Sequence, residues 1–401
     1  MKIRLGHICF AAVLCLANSA KVSAQLVNNG VNVFIGQSAL LYVDAKVVNN
    51  KGAILNKGEM IINGDWENND ASGVFHYLSS GSVMFTGRNV VFSGSSGTSF
   101  PRLVLKGSGL FLMNTDLYAK LSLDLDNAEL KTGDNRFVLE NNDANSLFVN
   151  NGFITTGAKG ALVRWAKGSD FYLYPMGSSK LGIKRFVGIS PKSTTDTYVG
   201  VSFVDNDASN DGYSRLNKTA AVTEVNEGYY HVITQLKGAN LPLDLSFYTT
   251  ASEKFSGLVS WATKNQWDRL VPVTLQDNAT ISPGLTKSFT YKSFNLGADA
   301  SVPIAFANVT NASPLNFYNA FSPDGDGKND TWEIKNIDAF PDNDLKIFDR
   351  SGNLIYRMNG YSSSKYWDGQ NAPSGTYIYI LRVKIDGKDE YFKGSITMVK
   401  N

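Results

Sequence analysis

The chain has 401 residues, enough for two or three domains, and its 43% apolar and 18% charged side chains exclude a disordered polymer. With 38 basic against 36 acidic residues the formal charge is only +2, and no polybasic stripe is present. Such a surface releases few counterions from a phosphate backbone and does not grip anionic lipid, which excludes nucleic acid and a charged membrane surface as partners.

Lys2 and Arg4 precede an apolar run over residues 8–17, and Val22-Ser23-Ala24 supplies the small residues a signal peptidase requires. A secretory leader is therefore expected over residues 1–24, cut before Gln25. The run is about half the ~20 residues of a spanning helix, so no transmembrane span is expected in the mature chain. Leu14 is too bulky for the position before a lipidated cysteine, which argues against a lipoprotein anchored at Cys15. Removing the leader leaves 35 basic against 36 acidic side chains and takes away both cysteines, Cys9 and Cys15. A disulfide, a thiol nucleophile and a cysteine metal ligand are thereby excluded, and only His76 and His231 remain for a zinc site. Stability must come from large sheets, bound ions or both.

Abundant Gly and Asn, frequent Val, Ile, Tyr, Phe and Thr, and no sustained helical period predict an all-β protein. Over residues 25–165 the glycines recur at six-residue spacing: Gly30 and Gly36; Gly52, Gly58 and Gly64; Gly81 and Gly87. Asn50 and Asn56 lie two before a Gly, and Ile54, Met60 and Trp66 two after. The expected unit is one short strand and one corner, with Gly or Asn in the left-handed conformation at the corner. Stacked units make a parallel β-solenoid-like domain; an antiparallel meander with Asn-Gly hairpins is the alternative.

Residues 166–300 carry strand signals separated by polar turns, as in a β-sandwich. Residues 301–314, bracketed by Pro303 and Pro314 and rich in Asn and Ala, read as a linker to a third unit at 315–401.

That last unit contains Phe321-Ser322-Pro323-Asp324-Gly325-Asp326-Gly327-Lys328-Asn329-Asp330, then Trp332, a hairpin turning at Asp349-Arg350-Ser351-Gly352-Asn353, Trp367-Asp368-Gly369, Gly375-Thr376-Tyr377 and a closing strand through Gly394. The turn residues suit a hairpin, and in the strand after Gly375 the side chains of Ile378 and Ile380 face opposite to Tyr377, Tyr379 and Leu381. Two apolar faces suggest a central strand covered on both sides; an open outer face would instead offer a docking patch. The ordered motif set resembles the gliding-motility-associated C-terminal domain, the type B sorting signal of the type IX secretion system of Bacteroidetes. The resemblance implies an Ig-like β-sandwich and passage through the outer membrane by the type IX translocon. It also implies release or retention at the surface with a PorP-type partner. Residues 25–300 look like the Asn/Gly-repeat surface proteins of the same bacteria.

Asp324, Asp326 and Asp330, with Asn329 as a fourth donor, form the oxygen-rich cluster that Ca²⁺ requires, although Lys328 and Lys335 occupy positions where an EF-hand has ligands. A plain Asx turn is the alternative reading. Asp205, Asp207 and Asp211 form a similar loop, more ordinary as a turn. Trp261 and Trp267 flank a short turn and read as cross-strand packing before sugar stacking. Asp124 and Asp126 are spaced as an acid–base pair on one strand face, but such a pair is ordinarily a solvated edge. Nucleophile elbows, phosphate loops and metal-ligand His pairs are missing, so no enzyme is expected. The expectation is an exported surface protein in adhesion or gliding-linked functions. The competing expectations are a protein binding or degrading surface polysaccharide, and a structural component of the secretion or motility machinery.

Overall fold

A computed structural model describes residues 24–219, 221–238, 242–262, 265–296, 301–309, 315–385 and 388–400. The expected leader, apart from Ala24, lies outside them. Strand accounts for 57% of the structure and helix for 4%, so the protein is all-β.

The N-terminal region is a parallel β-solenoid of about seven turns. Strands Gln25–Asn29, Val33–Ile35 and Leu40–Val43 form the three sides of the first coil, and each pairs in parallel with its counterpart in the second: Lys46–Lys51, Ile54–Asn56 and Glu59–Ile62. The six-residue spacing is thus one side of a coil. The true repeat is longer and variable, since Leu40 pairs Glu59 while Trp66 pairs Phe92, offsets of 19 and 26 residues. Inward residues stack into columns: Met60, Val83, Leu103 and Leu123 are in mutual register and fully buried. Burying each such side chain contributes about 1.5–3 kcal/mol, which is how a coil whose described residues contain no cysteine holds together over such a length.

The corner glycines work differently from the expectation. Gly30 and Gly52 adopt positive φ (116° and 103°), but Gly36, Gly58, Gly64, Gly81 and Gly87 do not. At most of these the demand is close approach between coils: a Cβ on Gly58 would lie 2.3 Å from the Ala39 carbonyl oxygen, and one on Gly81 2.2 Å from that of Gly58. The solenoid's asparagines do not take left-handed corners, and several of them form ladders. Asn49 Oδ1 accepts from Asn28 at 3.0 Å and its own amide donates to Asn68 at 3.4 Å, inside the coil. Outside it, Asn69 donates to Asn50 and Asn50 to Asn29.

Strand Ala161–Gly168 pairs in parallel with Arg136–Leu139 in the solenoid and antiparallel with Ser193–Val204 beyond it. The boundary expected at 165 therefore falls within one strand, and a single core runs from Ile35 to Phe306. The sandwich packs this sheet, continued by Tyr230–Lys237, Ser301–Val309 and Gly257–Ala262, against a second of Tyr172–Tyr174, Val187–Ser190, Leu243–Thr249, Leu285–Phe294 and Val273–Ser282.

The linker expected at 301–314 needs correction. Ser301–Val309 is a strand paired on both sides, with Ile304, Ala305, Phe306 and Ala307 fully buried. Burial on both faces removes the alternation that marks a strand, and Pro303 sits beyond the residues paired with Gly257–Ala262, so its missing N–H breaks no bond there. Residues 310–314 lie outside the described residues.

Candidate functional site

The C-terminal unit has its own core, from Leu315 to Met398, against which Val271 packs from the sandwich. Its sheet runs Ala320–Phe321, Lys388–Met398, Gly375–Ile385, Asn343–Phe348, Leu354–Asn359. A thin second layer covers one face: the ribbon Asn316–Phe317 with Ile334–Lys335, and the turns around Tyr361 and Trp367. The other face is open, with Ile378 and Ile380 46% and 39% exposed, so the strand after Gly375 is covered on one side only. On this face Phe348 lies across from Ile378, and Lys346 and Lys393 from Ile380.

The motif residues are the parts that close the covered face. Trp332 and Trp367 are bridged backbone to backbone, and both are buried. Tyr361 fastens them, its hydroxyl donating to the Trp332 carbonyl and accepting from the Trp367 amide at 2.8 Å. The Tyr361 backbone is held in turn by Asn343 Oδ1 at 2.7 Å. Phe321 packs 5.3 Å from the Trp367 ring. A Cβ on Gly369 would meet Met398 Sδ at 2.2 Å, and one on Gly394 the Tyr379 hydroxyl at 2.7 Å, so both glycines are packing requirements. Asp368 accepts from the Gln370 amide in the turn between them, and Tyr377 is buried with its hydroxyl on the Pro373 carbonyl. Gly375 meets no neighbour within 4 Å, and nothing in the structure explains it sterically.

The acidic loop follows Phe321 and the half-buried Pro323. Gly325 and Gly327 have φ near +80°, and Asn329 has φ 53°, so the chain coils tightly. One carboxylate oxygen from each of Asp324, Asp326 and Asp330 lies within 4.8 Å of the others. All three already accept backbone N–H groups: Asp330 from Gly325 and Gly327, Asp324 from Asp326, and Asp326 from Lys328. The Asn329 carbonyl accepts from Ser322. Hard oxygen donors suit Ca²⁺ chemically, while the internal hydrogen bonds by themselves account for the turn.

The other candidates are spent structurally. Asp207 is bonded to the Arg215 guanidinium, which holds its carboxyl down at about 2; Asp205 accepts from Ser178, and Asp211 from Tyr230 and Asn206. Trp261 pairs directly with Trp267, ring centroids 5.4 Å apart, with Trp267 buried and its indole N–H on the Tyr213 carbonyl. Asp126 is in a left-handed corner (φ 43°), not on a strand face with Asp124, and its N–H is capped by the Asp124 carboxylate. His231 is fully buried among Phe203, Tyr229, Phe247 and Phe306, where burial lowers its pKa to about 3. Sequence reasoning missed the buried Arg185–Glu253 pair at 3.1 Å, on the wall of a cavity of about 300 Å³. Glu253 there accepts from Arg185, Tyr229 and Thr249, so it is a clasp between the sheets. Among the described residues no helix is long and apolar enough to cross a membrane.

A small sheet closed on one face by interlocked tryptophans, fronted by a Gly-Asp-Gly loop and ending the chain, defines a terminal module with its own core. Residues 315–398 match the family model of the CHU_C type IX secretion signal domain, so the chain carries a type B sorting domain over those residues. No curated protein and no solved structure matches the chain.

Proposed function

We propose that this is a non-catalytic protein exported through the inner membrane by its leader and delivered across the outer membrane by the type IX machinery. At the cell surface the solenoid and sandwich then serve adhesion or a gliding-linked role. The observation that carries the reading is the sorting-domain match at residues 315–398, which ties the chain to type IX secretion. Binding would run along stacked strands, where many weak contacts add. A PorP-type outer-membrane protein is the proposed partner of the sorting unit, and the open strip at Ile378 and Ile380 is the surface we assign to it. The polysaccharide reading is disfavoured because the Trp261–Trp267 pair is used in packing. The acidic loop is proposed to take Ca²⁺, which would relieve repulsion among three converging carboxylates. Deleting residues 315–401 is expected to hold the protein in the periplasm, read by cell fractionation and by protease accessibility on intact cells. Normal surface appearance of the truncated chain refutes the export reading.

A further inference from the structure

Among the described residues the first coil is an open end. Strands Gln25–Asn29, Val33–Ile35 and Leu40–Val43 each use one edge to pair with the second coil, and no other strand among the described residues pairs with them. The far end of the solenoid is closed by antiparallel pairing of Ala161–Gly168 with Ser193–Val204. A parallel ladder leaves alternate N–H and C=O groups unspent on its outer edge, and folded proteins ordinarily protect such edges with charge or proline. Here residues 25–43 contain no Asp, Glu, Lys, Arg or Pro. The coil instead presents Leu26, Val27, Val31, Phe34, Leu40 and Tyr42, each 38–67% exposed.

We infer that this end pairs with the same end of a second copy of the chain, giving a two-fold, end-to-end dimer. A face with no charged side chain, its one charge the α-ammonium that cleavage leaves at Gln25, carries little like-charge repulsion against itself and offers a charged partner little to pair with, which favours self-association. A two-fold axis sets the meeting edges antiparallel, a pairing slightly more stable per residue than the parallel one inside the coil. The 19 residues from 25 to 43 approach the roughly 20–30 residues per side that a stable interface uses. The inference rests on the leader being cut before Gln25, which mass spectrometry of the exported N-terminus checks separately.

The test is sedimentation equilibrium of the chain beginning at Gln25, at about 50 µM, well above a ~1 µM dissociation constant. Twice the monomer mass is expected, falling towards the monomer on dilution. Phe34→Lys with Tyr42→Lys should weaken the dimer at least about a hundredfold. Measured dilute enough for both chains to be monomeric, the melting temperature should stay unchanged, because both side chains are exposed. Val31→Lys gives an independent second variant, and Phe148→Lys, equally exposed on a distant coil, should leave the dimer intact. A monomer throughout overturns the inference. Masses that grow beyond the dimer overturn its two-fold form, and a dimer unaffected by the lysines overturns its placement.

Discussion

Gly58→Ala tests whether the glycines of the solenoid exist to let coils approach one another. The new Cβ would lie 2.3 Å from the Ala39 carbonyl oxygen and 2.4 Å from that of Gly36, where real Cβ contacts do not fall below 3.0 Å. Both obstacles are backbone, so the coils must part locally by about 0.7 Å. The Glu59 N–H to Ala39 carbonyl bond, 2.9 Å in the structure, would then stretch to about 3.6 Å and cease to be one. Losing that bond costs about 1 kcal/mol, and the strain of overpacking adds about 1–3 kcal/mol. A total near 3 kcal/mol corresponds to a melting point lower by roughly 5 °C for a unit of this size. Gly36→Ala is the matched control, one coil earlier in the same stack. Its Cβ would meet nothing nearer than the Phe34 ring at 3.6 Å, so it should be neutral or slightly stabilising. Calorimetry of both variants, dilute enough to be monomeric, decides the matter. Equal melting points for Gly36→Ala and Gly58→Ala, or a loss under about 1 kcal/mol at Gly58, would refute close approach as the reason for these glycines.

His231 sets a pH dependence: the unfolded chain takes up its proton near pH 6.5, whereas the folded one resists until about pH 3. Stability is therefore full at neutral pH and lost as pH falls through that window, by about 2 kcal/mol at pH 5, and His231→Phe should flatten melting curves compared at pH 7 and 5. Tyr361→Phe strands the Trp332 carbonyl and the Trp367 amide in the sorting core. It should destabilise that unit by about 2–4 kcal/mol, seen as earlier proteolysis of the C-terminal segment alone. Calcium titration should raise the melting point of the sorting unit, a gain removed by chelator and by Asp326→Asn. A calorimetric titration without heat would return the loop to a plain turn.

How much was legible follows from how local each signal is. The sorting unit could be read because its turns and aromatic positions are written in contiguous motifs, and the packing of Trp332, Trp367 and Gly369 places them where such motifs close a small core. The solenoid was legible as strand and corner. Its repeat was obscured because coils of 19 to 26 residues share no fixed period, and the shared element is a carbonyl stacked over a Cα hydrogen. Strand Ser301–Val309 was hidden by its own success at burial, since a strand apolar on both faces and interrupted by Pro303 carries no alternation. The exposure of Ile378 and Ile380 could not be read at all, because an apolar face looks the same in sequence whether or not another layer covers it.

The division of cores bears directly on what a deletion can show. Upstream, one long cluster of buried residues runs from Ile35 to Phe306 with a smaller one, from Val204 to Ala307, on the sandwich, whereas those from Leu315 onward form another, touched from upstream by Val271. Among the described apolar residues, removing 315–401 therefore uncovers part of the half-buried Val271, costing about 1 kcal/mol, and should leave the solenoid and sandwich folded. The truncated chain should melt within about 2–4 °C of the full one. Retention of such a folded chain in the periplasm would then report a missing address. If the truncation instead unfolds the upstream region, the two cores are energetically one, and a module that depends on its cargo could not be transplanted to a reporter.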